Sequence, residues 1–290
     1  MKKTSELFEE KDVTFSFELF PPKTEEGFLK LTKTIEGLSE LKPDFISVTC
    51  GAGGGNREKT TEIVDLIQKK HKIIGVEHLT CIGNTHGEIK NTLDDIKRKG
   101  ICNVLALRGD PPKNDPDWKP TANHFSYSYE LCEFIRFKYG EYFSIGVAGF
   151  PEGHVLCPDR IQDAKYLKMK TDAGADYVIT QLFFDNEDYF GYVERLRKLG
   201  VTARVIPGIV PITDYNGIVN FCKTCGASIP KEVHQTFSHL ADNKEATIEE
   251  GIRFAARQCK ELLENGAPGI HFYTLNKIHP IDVILEDIRE

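Results

Sequence analysis

No stretch of the 290-residue sequence is apolar over the roughly 20 residues a membrane-crossing helix needs. The first twelve residues, MKKTSELFEEKD, carry two lysines but no apolar core of the kind a secretory signal requires. Excess positive charge is missing as well: the formal net charge is −7, so no broad field draws nucleic acid or an anionic membrane surface. A local basic spot for a small anion is still compatible with that balance. No HxH, HExxH or paired-carboxylate spacing accompanies His78 or His154, so no metal is expected, and without GxSxG no Ser–His–Asp triad can be argued. These absences together predict a cytoplasmic protein whose partners are small molecules.

Cysteine is not scarce, with eight residues, but in a chain of this size without an export signal they read as reduced thiols rather than a disulfide framework. Cys222 and Cys225 form one CxxC within FCKTCG. No second CxxC or HxxxH completes a tetrahedral zinc site, so the pair reads as two thiols at the end of a helix.

Hydrophobic residues make up 40% and charged residues 28%, a balance that supports a sizeable core. Eight β-rich runs recur along it: Val13–Leu19, Phe45–Cys50, Ile73–Leu79, Asn103–Arg108, Ser144–Phe150, Tyr177–Phe183, Arg204–Ile209 and Gly269–Thr274. Several are almost continuously apolar, as parallel strands buried on both faces are. Helix signals lie between them. Thr24 is a candidate N-cap ahead of Phe28, Leu31, Ile35 and Leu38, and Thr85–Glu88 is a capping box. Asp185 caps a helix stopped by Gly200, and Thr247–Glu250 opens one that ends at Gly266. Eight βα units in this length predict a (β/α)8 TIM barrel, an α/β fold, rather than an open sheet of five or six strands. The long interval between the seventh and eighth runs predicts extra helices there. No linker or composition break appears, so residues 1–290 are expected to form a single domain.

In such a barrel, function sits at the C-terminal strand ends and in the loops after them. Those positions hold Glu18, Thr49, His78, Arg108-Gly109-Asp110, Phe150 to His154, Gln181 and Tyr273 to Asn276. Alternation along the first run sets Thr14, Ser16 and Glu18 on one face and Phe15, Phe17 and Leu19 on the other. Glu18 therefore points into the barrel near its upper end, flanked in sequence by Phe17, Leu19 and Phe20. Desolvation there is expected to raise its pKa and suit it to general acid work; a rim carboxylate in a structural ion pair is the alternative. RGDPPK, 108–113, follows an apolar strand, which argues for a ligand-facing turn or an Arg–Asp pair over a cell-adhesion motif. The glycine run TCGAGGG, 49–55, resembles a phosphate cradle only at first sight. A Rossmann spacing from Gly51 needs glycine at 56, where Asn56 stands, and Lys59 is preceded by Glu58 rather than the glycine of a P-loop. It reads instead as a rim where backbone approaches a flat ligand.

Taken in order, FSFELFPPK (15–23), FISVTCGAGG (45–54), VEHLTC (76–81), LALRGDPP (105–112), GVAGFPEGH (146–154), KTDAGADYVITQLFFD (170–185), VIPGIVPI (205–212) and HFYTLN (271–276) resemble the methylenetetrahydrofolate reductase family across nearly the whole chain. The resemblance implies a flavin, FAD with FMN as the alternative, and NADH or NADPH as reductant. The implied reaction reduces 5,10-methylenetetrahydrofolate to 5-methyltetrahydrofolate by ping-pong hydride transfer, within one-carbon metabolism and methionine supply. It further implies a homo-oligomer, or an electron-transfer subunit standing in for the nicotinamide. By motif, Glu18 is implied as the acid that protonates a folate nitrogen, Asp110 as the carboxylate beside flavin and pterin, and Gln181 as the folate-contacting amide. Thr49, His78, Arg108, Gly109, Asp110, Tyr127, Ser128, Ala148, Phe150, His154, Asp163 and Lys170 fall where the family holds its flavin, with Lys170 toward the pyrophosphate. Tyr273 and Lys277 match the folate or nicotinamide end. Departures are Phe150 where a tyrosine is common, Tyr166 and Met169 at polar or basic positions, Lys277 for an arginine, and Gly217 for a glutamine. A flavin-free methyltransferase, a proline-dehydrogenase-like barrel and a non-catalytic binding subunit are the competing readings.

Overall fold

The computed structural model describes residues 2–50, 57–110 and 119–289. A short helix α1 (Thr4–Glu10) leads into β1 (Thr14–Leu19), α2 (Glu25–Glu40), β2 (Phe45–Val48), α3 (Arg57–Leu66), β3 (Ile74–Thr80), α4 (His86–Arg98) and β4 (Asn103–Leu107). Then come α5 (Ser128–Tyr139), β5 (Ser144–Gly149), α6 (Arg160–Asp172), β6 (Tyr177–Thr180) and α7 (Asn186–Lys198). The chain continues through β7 (Arg204–Ile206), β8 (Gly208–Ile209), α8 (Tyr215–Cys225), α9 (Lys231–Ser238), α10 (Lys244–Glu264), β9 (Gly269–Tyr273) and α11 (Ile281–Arg289).

All pairings are parallel, in the order β7-β6-β5-β4-β3-β2-β1-β9-β8. The expected seventh strand is thus broken at Pro207, which has no N–H to give a ladder. Its first half pairs with β6 and its second with β9, so this one strand closes the ring and the architecture is the expected (β/α)8 barrel. The sixth run is shorter than expected, because Gln181 to Phe183 already belong to the loop after β6. The long interval before β9 holds α8, α9 and α10, as predicted. α10 starts earlier than expected: Asn243 caps it by accepting from the Ala246 amide at 3.1 Å, while Thr247 lies within the helix and donates to the Leu240 carbonyl. The caps at Thr24, Thr85 and Asp185 form where the sequence predicts them.

Strand alternation sorts the core into two layers. Outward-facing Phe15, Phe17 and Leu19 join Leu31, Ile35 and Leu38 of α2 in the large cluster between sheet and helices. Inward-facing Phe45, Val76, Leu105, Tyr177, Ile179 and Ile206 fill the barrel, with Leu7 of α1 among them. That N-terminal helix, which hydrophobic periodicity in MKKTSELFEEKD is too short to announce, closes the floor. The Thr4 amide donates to Asn103 Oδ1 at 2.7 Å, its hydroxyl meets Ser144 Oγ at 2.8 Å, and Phe8 packs edge-on to Tyr177 at 5.1 Å. With the bottom sealed, the open end is the mouth where the strands finish.

One carboxylate sits in the outer layer with little support. Glu77, 1% exposed, accepts from Thr61 of α3 at 2.8 Å through one oxygen, and the other has no partner among the described residues. Burial drives its pKa up to about 7, with Thr61 and the more distant Lys99 and Arg57 pulling the other way. A carboxyl whose folded pKa is raised favours folding below its unfolded pKa, and that contribution is lost as pH rises through the folded value. Glu77→Gln is therefore predicted to flatten the fall in stability between pH 5 and 8, gaining up to about 3 kcal/mol at the upper end. Urea midpoints at a series of pH values check this, and parallel wild-type and variant curves contradict it.

Candidate active site

Glu18, one residue from the end of β1, does point inward at the mouth and is 7% exposed. Its Oε2 lies 3.3 Å from Nε2 of His78 on β3 and 3.7 Å from Nε2 of His271 on β9. The expected aromatic surroundings are not what it meets: Phe17 and Leu19 are turned into the helix layer, and two imidazoles flank the carboxyl instead. His271 is in turn fixed from below, with Nδ1 2.8 Å from the Ser16 hydroxyl and its ring stacked on Phe45 at 5.9 Å. Burial pushes His78 below the usual histidine range, an effect that Glu18 opposes and His271 reinforces. Burial thus presses His78 toward its neutral form beside Glu18. Its Nε2 is itself buried with no well-formed hydrogen bond among the described residues.

His271 and Ser16 were not among the candidates. Both carried a signal, since they share the inward face with Tyr273 and Glu18 respectively. What the sequence does not give is the cross-strand register, in which Ser16 lies beside His271 and Glu18 beside Tyr273.

Tyr273 donates its hydroxyl to the Thr180 carbonyl at 2.6 Å, across the place where a side chain on Gly208 would stand. A Cβ there would come within 2.2 Å of that carbonyl and 2.6 Å of the Tyr273 ring, so glycine is required by the close approach. Burial, then Glu18 and then Cys225, raises the Tyr273 phenol well above its ordinary range. Thr274 donates to the Glu18 carbonyl at 2.7 Å, tying the loop after β9 to β1. Asn276 exchanges two hydrogen bonds of 2.8 Å with the backbone of Phe20, so this rim residue serves the loop rather than a ligand. Gln181 starts the loop after β6, its Oε1 taken by the Leu182 amide at 2.9 Å. Lys277 is exposed. Gly217 donates its amide to Asp214 at the start of α8.

Most of the other candidates gather on the opposite arc, over β4, β5 and α6. Lys170 donates to the Ala148 carbonyl at 2.9 Å and lies 5.6 Å over the Phe150 ring, which meets His154 edge-on at 4.7 Å. Burial lowers the Lys170 ammonium below its usual range, with Asp163 opposing. Asp163, 6% exposed, is pushed up to about 6 by burial, against the pull of Lys170 and the His154 amide. His154 is lowered by burial and by the Lys170 and Arg108 cations, with Asp110 pulling upward, so these four groups share one field. Arg108 donates from Nε to the Ser126 carbonyl at 3.2 Å. Among the described residues neither Arg108 nor Lys170 forms an ion pair.

Gly109 holds a φ of +79° between Thr80 and Ile82, and Asp110 is exposed beside it. Thr49 donates its amide to the Leu19 carbonyl, and its own carbonyl receives the Thr60 hydroxyl. Tyr127, 56% exposed, precedes Ser128 at the start of α5, where Glu130 accepts from the Ser126 and Tyr127 amides. Tyr166 and Met169 are exposed on α6. The glycine run 51–56 and the PPK of RGDPPK lie outside the described residues.

The mouth therefore joins a carboxyl between two imidazoles on one arc to two cations with no ion pair among the described residues on the other. Comparison with known proteins agrees in fold and in sequence. A solved structure of an uncharacterized Clostridium thermocellum protein, described as binding two copies of 5-methyl-5,6,7,8-tetrahydrofolic acid, superposes with a TM-score of 0.64 over 99% of this chain and 98% of that one. At 16% identity the likeness is one of fold. The rice protein named probable methylenetetrahydrofolate reductase (NADH) is 39% identical over 95% of this chain and 48% of its own length. The chain thus spans about half the length of the plant relatives it matches. The Escherichia coli 5,10-methylenetetrahydrofolate reductase is 36% identical over 91% of this chain and 87% of its own. The family model described as methylenetetrahydrofolate reductase matches residues 3–289, and the chain belongs to that family.

Proposed function

We propose that this chain, acting as a single catalytic domain over residues 1–290, reduces 5,10-methylenetetrahydrofolate to 5-methyltetrahydrofolate with electrons from NADH or NADPH by way of a bound flavin. The observation that carries the reading is the two-armed mouth. Glu18 stands between His78 and His271 on one arc, and Arg108 and Lys170 stand with no ion pair among the described residues on the other.

A flavin fits the residues present. Two cations with no ion pair among the described residues suit an anionic diphosphate, and the buried Nε2 of His78 has no well-formed hydrogen bond among those residues. Lys170 and Arg108 would hold the phosphates, with His154 and Asp163 adjusting the charge between them. Thr49, Gly109, Asp110, Tyr127, Ser128, Ala148 and Phe150 would border the rings and ribityl chain. The flavin supplies two-electron, hydride-carrying chemistry between nicotinamide and folate.

The protein's own chemistry centres on Glu18. Its carboxylic acid gives a proton from Oε2 to a ring nitrogen of the bound folate, which opens the five-membered ring and makes the one-carbon unit electrophilic. His78 and His271 keep the carboxyl aimed, and Ser16 fixes the His271 ring. Asp110 places negative charge beside the developing cation, and Gln181 and Tyr273 hold the pterin end, with the Gln181 NH2 left as a donor. Lys277, exposed on the loop after β9, meets the outer end of folate or nicotinamide as a single ammonium rather than a fork.

Glu18→Gln is predicted to retain flavin and its reduction by the nicotinamide, while reoxidation by methylenetetrahydrofolate slows by about 10²–10⁴-fold. Anaerobic stopped-flow measurement of each half separately decides it, and equal loss in both halves removes Glu18 from the acid role. Lys170→Met is predicted to weaken flavin binding by about 10–100-fold, the worth of one charge-assisted hydrogen bond. Fluorescence titration of the flavin reads this, with an unchanged melting temperature showing that the loss is local. A wild-type protein that is colourless and binds no added flavin overturns the whole reading.

A further inference from the structure

The FCKTCG stretch, which the proposed reaction does not use, closes α8 against the mouth. Cys222 is buried in the apolar cluster of α8 and α9, and Cys225 is the half-buried last residue of the helix. Gly226 follows with a φ of +79°, a left-handed cap that glycine takes without strain. The Cys225 thiol lies 3.9 Å from the Cys222 carbonyl, and each thiol shifts the protonation of the other. Among the described residues no third histidine, cysteine or carboxylate joins them in a group able to hold a metal, which favours sulfur chemistry at this pair.

The pair touches both arcs of the site. Cys225 and Tyr273 pack on the same apolar cluster, and Cys225 adds to the charge felt by the Tyr273 hydroxyl. Just beyond it, the Ser228 amide donates to Glu152 at 3.0 Å, and a Cβ on Gly226 would come within 2.4 Å of Val155. Glu152 and Val155 bracket His154 in the loop after β5.

We propose that Cys222 and Cys225 are a redox-active dithiol that closes to a disulfide within the last turn of α8 and thereby displaces the Tyr273 and Glu152–Val155 walls of the mouth. Residues three apart on a helix hold their Cβ atoms about 5–6 Å apart, whereas a disulfide needs about 3.5–4.5 Å, so closure draws the turn in by roughly 1–2 Å. Cys222 is fixed in the core, so the movement falls on Cys225, Gly226 and the segment to Ser228.

The division of labour follows from the same contact. The side-chain interaction with Cys225, followed by burial, pushes Cys222 far above the ordinary thiol range. Cys225, lowered to about 7 by its interaction with Cys222 and by the Ala227 amide against the cost of burial, is the half-buried, more accessible thiolate. It attacks one sulfur of a low-molecular-weight disulfide RSSR, forming a mixed disulfide and releasing RS⁻. Cys222 then gives up its proton, and its sulfur attacks Cys225 Sγ, forming the Cys222–Cys225 bond and expelling the second RS⁻. Two thiols are oxidised to one disulfide, RSSR is reduced to two RSH, and the two cysteine protons end on the released thiols.

The kinetic consequence rests on the folate reading above; the sulfur chemistry and the movement do not. The flavin-loaded protein is equilibrated in glutathione buffers of rising oxidised fraction, alkylated and mapped by peptide mass. Hydrogen exchange is followed over 152–155 and 226–228. The expected result is a Cys222–Cys225 disulfide that forms before Cys50 or Cys157 is modified, faster exchange in both segments, and full reversal by dithiothreitol. In the folate half-reaction KM rises severalfold while flavin reduction by nicotinamide is unchanged. Cys225→Ser abolishes the response, and Cys222→Ser halts at the glutathione adduct of Cys225. If Cys50 or Cys157 is modified while 222 and 225 remain thiols, or if the disulfide forms without a change in exchange, the proposal is overturned. A reduced protein with no folate activity refutes the proposed function instead, and mapping and exchange still decide the dithiol.

Discussion

Thr180 holds the barrel shut at the point where the sheet cannot hold itself. Pro207 interrupts the closing strand, so the ladder passes from β7 to β8 without an amide at its centre. The buried Thr180 hydroxyl takes up the Gly208 amide at 2.9 Å, and the Thr180 carbonyl receives the Tyr273 hydroxyl at 2.6 Å. Three strands are thereby joined through one side chain and one carbonyl. The same bonds fix where Tyr273 stands, and through the register of β1 and β9 they fix its distance from Glu18. The absence of a side chain at Gly208 is what lets the phenol cross the seam. Closure of the fold and geometry of the mouth are one constraint.

Around that mouth, charge is divided rather than paired. Had Arg108 or Lys170 been placed beside Glu18, the carboxyl would be held ionised and poor at giving up a proton. The barrel instead puts His78, pressed toward its neutral form by burial, next to Glu18 and keeps both cations over β4, β5 and α6. A buried carboxyl and a pair of cations can then coexist at one opening, because the sheet holds them on different strands. Asp163 serves that separation: pushed up to about 6 by its burial, it moderates Lys170 without forming an ion pair within the described residues.

The sequence displayed its strands well because continuous apolar runs between capped helices have few alternatives, and Thr24, Thr85 and Asp185 cap where side-chain chemistry requires. Glu18 was legible for a related reason, since the two-residue period decides its face. What stayed hidden depended on partners distant in sequence. His271 becomes a site residue only when β9 lies beside β1, and α1 is a floor only because Asn103 and Ser144 receive Thr4. The aromatic setting inferred for Glu18 failed for the reason that placed Glu18 correctly: residues next to it in sequence must face away from it. At Thr247 the local pattern suggested a cap, but Asn243 lay a turn earlier and its side chain reached the free amide first.

The two buried carboxylates show why face matters more than residue type. Glu77 and His78 are neighbours on β3, yet alternation sends His78 in to Glu18 and Glu77 out to Thr61. Both carboxyls are removed from water, and among the described residues neither forms an ion pair with a lysine or arginine. Glu18 is near the open end, where the proposed folate would receive its proton. Glu77 is sealed under α3, where its raised pKa has no acceptor to act on and appears only as a loss of stability when the group ionises. A strongly shifted pKa marks a functional group here only when the geometry also supplies something to exchange the proton with. By that criterion Glu18, placed at the open end, is the better candidate for an acid than Glu77, which is sealed in the outer layer.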